Sequence, residues 1–399
     1  MRKSVKKVIP FLFAGCMVMS SSAFAYENEE LWDAELENFV TYEGKEAIMS
    51  VKDYLNFGSE GFDVEAYAAS GLGEGTIQNW TNYVAYTDPM DENVVKYWAD
   101  LGITKELHNA DTPESAWASY VPSAGLEEGS ETKYPVLFVW HGNTNSIWVA
   151  ETFGFAQYGA DGAKYITVIP EASNGYTAIE EFDRILTELK ENYPIDESRI
   201  YACGFSKGGY VVQNLANAYP EVLAGVASGG NVAHSPNAWT PGEVEGEWVT
   251  FTDEEIAALA EKNMPFMDYS GTFDSNNYPI SVASHMDDPE EKIVGYNLWL
   301  NATGAVGEEL TIEKSEEITA NSDDVVEQHI GIDFTNTEVR VLNDTNYYIG
   351  TFQNEGGATV YEWVCIEGQM HWPAPSMPAL VWEFFSQFSR DTETGELVY

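Results

Sequence analysis

Apolar and polar residues alternate in blocks along residues 115–390, and the blocks predict strands and helices in turn. An uninterrupted apolar run over 134–140 is typical of a strand in a sheet that is covered on both faces. Further β-prone runs lie at 117–122, 164–170, 199–203 and 358–365, and another begins at 264. Apolar residues at helical spacing predict helices over 178–192, 210–219 and 378–388. This alternation indicates an α/β protein with a mostly parallel central sheet and helices on both faces.

A G-x-S-x-G motif centred on Ser206 joins the strand predicted over 199–203 to the helix predicted over 210–219. A nucleophilic serine on a sharp strand-to-helix turn has a strained backbone, so the residues two before and two after it must be small. Gly204 and Gly208 meet this need. A glycine-rich turn around a structural serine is the alternative, because the motif also occurs by chance. A catalytic serine would further need a base, an acid and an oxyanion hole.

The base is expected after the serine, because proteins with this turn order their triad as nucleophile, acid and histidine. His371 fits this order and lies in a loop between the β-prone run 358–365 and the last predicted helix. His234, His285 and His329 also follow the serine. Their surroundings are more typical of surface or binding histidines, so His371 is the predicted base.

The predicted acid is Asp274, which follows a short buried-type strand in a Gly-Thr-x-Asp turn. From the loop beyond the carboxyl end of that strand, its side chain would reach a histidine. Asp268 is the alternative, but it falls inside the strand. Because the chain has 65 acidic residues, only its place in this turn distinguishes Asp274 from a solvated aspartate.

The oxyanion hole needs backbone N–H groups from the residue after the nucleophile and from a loop after an earlier strand. The run 134–140 is followed by His141, Gly142 and Asn143. We therefore expect the N–H groups of Lys207 and of Asn143 or a neighbour to form the hole. A simple tight turn at His141 is compatible with this role.

In these features the chain resembles the α/β-hydrolase superfamily, and within it the secreted polyhydroxybutyrate depolymerase and feruloyl esterase group. The matching stretches span residues 115–390 in a fixed order. They are Trp140-His141-Gly142, residues 196–209, residues 270–274, Met370-His371-Trp372-Pro373 and Trp382-Glu383-Phe384-Phe385.

The resemblance implies ester hydrolysis by a triad of Ser206, His371 and Asp274. The sequence departs from the group in two ways. Lys207 stands where a small residue is common, and the usual disulfide-forming cysteines are missing. These departures leave the pocket and its substrate open.

Residues 1–25 are expected to be a bacterial-type signal peptide that is cleaved after Ala25. Four basic residues precede an apolar stretch, and Ala23-Phe24-Ala25 is a small-residue cleavage site. The protein would then be secreted. The alternative is a lipoprotein anchored through Cys16, because Phe13-Ala14-Gly15-Cys16 resembles a lipobox.

The chain is strongly acidic, with 19 basic and 65 acidic residues and a formal net charge of −46. Such a surface repels nucleic acid and keeps a protein soluble, so neither nucleic-acid binding nor stable membrane insertion is expected. Cys203 and Cys365 fall in strands that should lie apart, which favours buried free thiols over a disulfide. The sequence contains no P-loop, dinucleotide fingerprint or metal-ligand cluster, so no cofactor or metal is expected.

The predicted domain organisation has three parts. Residues 26–114 form an acidic N-terminal extension that packs on the core, and 115–399 form the catalytic domain. Residues 235–262 and 301–356 are expected to be lid-like insertions near the site. We expect His141, Trp239 and Trp372 to contact the substrate, and a lid with Trp239, Trp248 and Tyr269 would suit an aromatic acyl group or a sugar.

The sequence therefore predicts a secreted serine esterase that acts on polysaccharide-linked feruloyl or acetyl esters, or on polyhydroxyalkanoates. Two alternatives remain open. One is a serine peptidase of the same fold, and the other is a non-catalytic carbohydrate-binding surface protein. The sequence does not indicate the oligomeric state.

Overall fold

The longest apolar runs of the chain form the middle of one large sheet. The computed structural model describes residues 90, 92–109, 115–142, 147–151, 153–171, 175–230, 237–239, 248–250, 253–271, 289–342, 345–367, 369, 373–374 and 376–399. Within these ranges the strands are β1 (Ile103–His108), β2 (Trp117–Pro122), β3 (Tyr134–Trp140), β4 (Ile166–Pro170), β5 (Ile195–Phe205), β6 (Leu223–Gly229), β7 (Asn237–Trp239), β8 (Trp248–Thr250), β9 (Phe266–Gly271), β10 (Asn336–Leu342), β11 (Thr345–Gln353), β12 (Thr359–Ile366), β13 (Ser389–Arg390) and β14 (Leu397–Val398).

Ten α-helices lie within the described ranges, and a short 3-10 helix at Ser123–Leu126 follows β2. They are α1 (Glu92–Asp100), α2 (Ile147–Glu151), α3 (Phe155–Ala160), α4 (Gly175–Asn192), α5 (Lys207–Ala218), α6 (Asp253–Lys262), α7 (Pro289–Ala302), α8 (Ile312–Asn321), α9 (Val325–Ile330) and α10 (Met377–Phe385). None of these helices is long and apolar enough to span a bilayer.

Ten of the described strands form a single sheet in the order β1-β2-β4-β3-β5-β6-β9-β12-β11-β10. The six strands from β4 to β12 are parallel, and the pairs at both edges are antiparallel. Parallel strands end at the same edge of a sheet, so loops that follow β3, β5, β9 and β12 emerge together. This is the α/β-hydrolase fold expected from the sequence.

Helices cover both faces of the sheet, which explains why its central strands have no polar face. On one face, Phe182 of α4, Leu215 of α5 and Trp299 of α7 belong to one buried cluster. On the other face, Phe155 of α3 and Phe384 of α10 belong to a second cluster. All seven residues of β3 are buried, as the uninterrupted apolar run predicts.

The insertion expected at 301–356 differs in part from a lid. Its β10 and β11 strands continue the central sheet beyond β12. β10 is an edge strand with exposed residues on both faces, so its sequence lacks the apolar run of a central strand. At the other edge, β1 adds a strand from the segment assigned to the N-terminal extension.

Both cysteines within the described ranges are free and buried, which confirms the expectation for Cys203 and Cys365. They lie on β5 and β12, which are separated in the sheet by β6 and β9. Burial raises the pKa of the Cys203 thiol well above its usual value, so this thiol stays protonated.

A buried arginine holds the carboxyl-terminal hairpin of β13 and β14 against the sheet. The side chain of Arg390 is 2% exposed. Its guanidinium donates to the carbonyl oxygens of Leu223, Lys262 and Gly395. These hydrogen bonds join the first residue of β6, the last residue of α6 and the turn between β13 and β14.

Candidate active site

Ser206 lies on a sharp turn between β5 and α5, at the carboxyl edge of the parallel strands. Its backbone has φ 55° and ψ −119°, a conformation that residues other than glycine rarely adopt. Its N–H donates to the carbonyl oxygen of Gly229 at 2.7 Å, and its carbonyl accepts the N–H of Gly209 at 2.8 Å. The hydroxyl-bearing side chain is half-buried. The strained turn is therefore held by backbone hydrogen bonds on both sides.

The two glycines of the motif are required by close backbone contacts. A Cβ atom on Gly204 would overlap the carbonyl oxygen of Gly208, the second residue of α5. A Cβ atom on Gly208 would overlap the carbonyl oxygen of Trp140 and lie 2.8 Å from that of His141. Contacts this short are essentially never made by a real Cβ atom. The elbow thus packs directly on the end of β3.

His141 lies just beyond β3, and its side chain is only 2% exposed. Its Nδ1 lies 2.8 Å from the carbonyl oxygen of Gly142, and its Nε2 lies 3.0 Å from that of Glu171. Burial lowers the pKa of His141, whereas the two carbonyl groups and the Glu171 carboxylate act in the opposite direction. The ring is thus directed at backbone groups. A direct contact with substrate stays a prediction.

Lys207 is the first residue of α5 and follows Ser206 directly. The first N–H groups of a helix have no partner within the helix and carry partial positive charge, as an oxyanion site requires. The side chain of Lys207 is half-buried, and burial lowers its pKa. Its ammonium also lowers the pKa of His141, which places the two side chains in one electrostatic neighbourhood.

The strands that lead to the predicted acid and base lie side by side. β9 and β12 are parallel neighbours, and Gly271 pairs in register with Ile366 at their carboxyl ends. A Cβ atom on Gly271 would overlap the carbonyl oxygen of Gln369, so the two backbones touch. Gly271 precedes Asp274 by three residues, and Gln369 precedes His371 by two. Asp268, the alternative acid, lies within β9 and is 1% exposed.

Several predicted site residues lie outside the described residues. These are Asp274, His371, Asn143 and Trp372, together with His234 and His285. Trp239 and Trp248 pair with each other in the β7–β8 ladder, but only their backbones are described. The structure therefore brings together Ser206, Lys207 and His141. The roles of Asp274, His371 and Asn143 stay predictions. Among the described residues, no group of three or more metal-binding side chains is arranged to hold an ion.

Glu171 was not identified from the sequence, although it contacts the loop that follows β3. It is the first residue after β4, and its carboxylate accepts the N–H of Ile147 at 2.9 Å. A polar residue directly after a buried strand, at the carboxyl edge of a parallel sheet, is the signal that would have found it.

Comparisons with known proteins give short sequence matches to esterases. No protein-family model matches the chain. Over 126 residues the chain is 26% identical to poly(3-hydroxyalkanoate) depolymerase C of Paucimonas lemoignei, a match that covers 27% of this chain and 29% of that protein. Over 107 residues it is 30% identical to the probable acetylxylan esterase A of Aspergillus flavus, covering 25% of this chain and 34% of that protein. The chain thus spans about a third of the length of the curated relatives it matches.

Among solved structures, an acetyl xylan esterase from Aspergillus awamori aligns with a TM-score of 0.44 and 14% identity, covering 71% of this chain and 99% of that one. The sheet thus has the α/β-hydrolase fold, and about a quarter of the chain is similar in sequence to a poly(3-hydroxyalkanoate) depolymerase and to acetylxylan esterases.

Proposed function

We propose that the chain is a serine esterase that cleaves carboxylic esters through an acyl-enzyme intermediate. The observation that carries the proposal is the backbone of Ser206. It holds a positive φ at the carboxyl edge of the parallel sheet and is fixed there by its hydrogen bond to Gly229. Strain of this kind persists only where the surrounding structure imposes it, and it clusters at active sites.

In the proposed reaction, the Ser206 hydroxyl attacks the ester carbonyl and His371 takes its proton. The proton passes to the leaving alcohol, and the acyl group stays on the serine. Water, deprotonated by His371, then releases the acid. Asp274 orients the imidazole, and the N–H groups of Lys207 and Asn143 stabilise the oxyanion. The contact between Gly271 and Gln369 supports this assignment, because it brings the chain segments before Asp274 and His371 together.

We propose esters of plant polysaccharides, feruloyl or acetyl, or polyhydroxyalkanoates as the substrate class. The matches to an acetylxylan esterase and to a poly(3-hydroxyalkanoate) depolymerase support this range. Turnover of methyl ferulate, acetylated xylan and hydroxybutyrate oligomers by the purified protein would distinguish the three. A preference for neutral short esters over all of them would contradict the polymer-linked class.

The central test compares Ser206→Ala with Ser386→Ala, in which an exposed serine at the end of α10 is changed. We expect Ser206→Ala to abolish hydrolysis of p-nitrophenyl acetate and labelling by a fluorophosphonate probe, with an unchanged melting temperature. Ser386→Ala should keep both activities. Undiminished hydrolysis or labelling in Ser206→Ala would refute the assignment.

Two other outcomes would replace the esterase proposal. Faster turnover of peptide anilides than of matched esters would indicate a peptidase. A wild-type protein that binds polysaccharide, hydrolyses no ester and takes no fluorophosphonate label would indicate a non-catalytic binding protein.

We also propose that the protein is exported and cleaved after Ala25. The basic residues, apolar stretch and Ala-Phe-Ala site of residues 1–25 support this. Expression in a bacterial host followed by amino-terminal sequencing should give Tyr26 as the first residue. A membrane-retained product that is released by Cys16→Ser would instead indicate lipidation.

A further inference from the structure

The central sheet ends on one side at β10, an edge strand that is open to solvent. Among the described strands, β10 pairs with β11 alone and is the last in the sheet order. Four of its seven residues are exposed, whereas β1, at the opposite edge, contains only buried and half-buried residues. Alternate backbone N–H and C=O groups of an edge strand point away from the sheet, so they can receive a further strand.

One face of β10 presents apolar side chains to solvent. Val339 and Val341 are two residues apart, which places them on the same face, and they are 41% and 61% exposed. Val325 of the neighbouring helix α9 is also 41% exposed. One turn later in α9, His329 stacks on Tyr348, the β11 residue opposite Val339. The exposed apolar surface therefore continues from the strand onto the helix.

The other face of β10 carries two opposite charges next to the open edge. The guanidinium of Arg340 donates from Nε and Nη2 to the carboxylate of Glu338 at 3.1 and 2.9 Å. Its Nη1 donates to Glu383 of α10 at 2.8 Å. Glu338 is exposed and Arg340 is half-buried. The positive charge is thus held in a fixed position beside the edge.

The sequence of β10 is complementary to itself when two copies of the strand pair antiparallel. Val339 is the middle residue of Asn336–Leu342, so a two-fold axis at Val339 pairs every residue of the strand with the second copy. In this register Glu338 of each copy lies opposite Arg340 of the other. Residues directly opposite each other in an antiparallel pair have Cβ atoms about 4.5–5.5 Å apart, close enough for their side chains to interact. Each charge then faces its opposite, and the two Val339 side chains meet at the axis.

We propose that the protein forms a homodimer in which β10 pairs antiparallel with β10 of a second copy and joins the two sheets into one. Strand addition provides affinity through main-chain hydrogen bonds, and side-chain matching selects the partner and the register. A two-fold interface uses the same surface on both copies, as the charge pattern of β10 allows. Each chain has a net charge of −46, but repulsion between exposed charges is largely screened beyond about 8 Å at physiological ionic strength.

The test mixes two charge-reversed variants, Glu338→Arg and Arg340→Glu. In a dimer of either variant alone, like charges would lie opposite each other twice, so we expect the dimer Kd to rise at least about tenfold. A dimer of one variant with the other has opposite charges at both places, so the mixture should associate with nearly the wild-type Kd. Sedimentation velocity of the full chain measures each Kd, and melting temperatures show that each variant is folded.

A second variant tests the same interface without changing the contacts of Arg340. Val339→Lys places two ammonium groups against each other at the axis, and we expect it to raise the dimer Kd at least about tenfold. Val398→Lys is the matched control, because Val398 is an exposed valine on a strand of another sheet. Amide hydrogen exchange gives a local readout, since alternate β10 amides should exchange more slowly in the wild-type dimer than in Val339→Lys.

A wild-type protein that stays monomeric at submillimolar concentration would refute the homodimer and leave the open edge to a strand of another protein. A dimer whose Kd is unchanged by Val339→Lys would also refute it, because the contact would then lie elsewhere. The same holds if the two charge-reversed variants are folded but do not associate when mixed. None of these outcomes depends on the proposed ester hydrolysis.

Discussion

The N–H of Ser206 donates a 2.7 Å hydrogen bond to the carbonyl oxygen of Gly229, the last residue of β6. The bond ties the strained turn to the neighbouring parallel strand, so the turn is fixed from the side as well as by its own helix. Gly230 donates in turn to the carbonyl of Tyr269 at 2.8 Å. A ladder of backbone contacts thus runs along the carboxyl edge from the serine towards β9.

The close contact of α5 with β3 makes Gly208 intolerant of any side chain. In Gly208→Ala, the new Cβ would overlap the carbonyl oxygen of Trp140, so either the helix or the strand end must move. We expect the rate of fluorophosphonate labelling at Ser206 to fall by at least about 100-fold, since a misplacement of about 1 Å has that effect. Gly356→Ala is the matched control, because its Cβ meets no atom closer than 3.3 Å. Equal labelling rates in the two variants would contradict this packing argument.

Lys207 directly follows the nucleophile and has a half-buried side chain, in a protein of net charge −46. We expect it to favour esters that carry a carboxylate near the scissile bond. In Lys207→Met, kcat/KM for mono-p-nitrophenyl succinate should fall about tenfold relative to p-nitrophenyl butyrate, which corresponds to about 1.4 kcal/mol. Lys207→Arg should keep the preference.

The same preference should depend on pH. Burial lowers the pKa of Lys207, so its charge is lost at a lower pH than that of a free lysine. The ratio of the two kcat/KM values should therefore decline as pH rises through that lowered pKa. If Lys207→Met leaves the ratio of the two kcat/KM values unchanged, the Lys207 side chain has no role in substrate selection.

We expect Glu362 to make the stability of the fold depend on pH. Its carboxyl lies half-buried on β12, with Glu383 of α10 and Glu338 and Arg340 of β10 around it. Burial and the two glutamates raise its pKa from 4.5 to about 8, against the opposing effect of Arg340. Between these pH values the folded protein binds more protons at this site than the unfolded chain does, so this contribution to stability falls as pH rises.

Glu362→Gln removes that contribution without changing the shape of the side chain. We expect the variant to melt at a higher temperature than the wild type at pH 8.5, and the difference to shrink towards zero at pH 4.5. Thermal melts across this range provide the measurement. A constant difference between the two proteins would show that Glu362 has an ordinary pKa.

The buried pair of Lys105 and Glu151 should be costly to break from one side. Lys105→Met removes the cation that faces a fully buried carboxylate, and we expect a loss of about 3–5 kcal/mol in the free energy of unfolding. Replacing both residues, as Lys105→Met with Glu151→Leu, should recover most of this loss. The exposed pair of Lys96 and Asp100 is the control, and Lys96→Met should cost less than about 1 kcal/mol. Equal effects in the two single variants would contradict the role of burial.

The central strands of the sheet could be predicted from the sequence because they are buried on both faces. The bounds expected for β2 and β3 are those observed, since their apolar runs end at polar residues or loops. β10 could not be recognised in this way, because an edge strand exposed on both faces has a mixed sequence. Its place in the sheet follows from pairing with β11, which only the three-dimensional structure shows.

In the candidate site, too, local sequence patterns predict some residues and not others. The elbow around Ser206 could be predicted, because its glycines are spaced by local backbone geometry. Glu171 could not, since its contacts reach Ile147 and His141, 24 and 30 residues away, and no local pattern records them. Long-range contacts of this kind depend on how the strands are ordered in the sheet.

The guanidinium of Arg390 also bears on how the molecule is made. Leu223, whose carbonyl it binds, precedes it by 167 residues. At about 5–20 residues per second, a ribosome needs roughly 10–30 s to cover that distance. During this interval the carbonyl group of Leu223, at the first residue of β6, lacks the cation that binds it in the folded protein. We therefore expect the first residue of β6 to be fixed in the nascent chain only after Arg390 has been added.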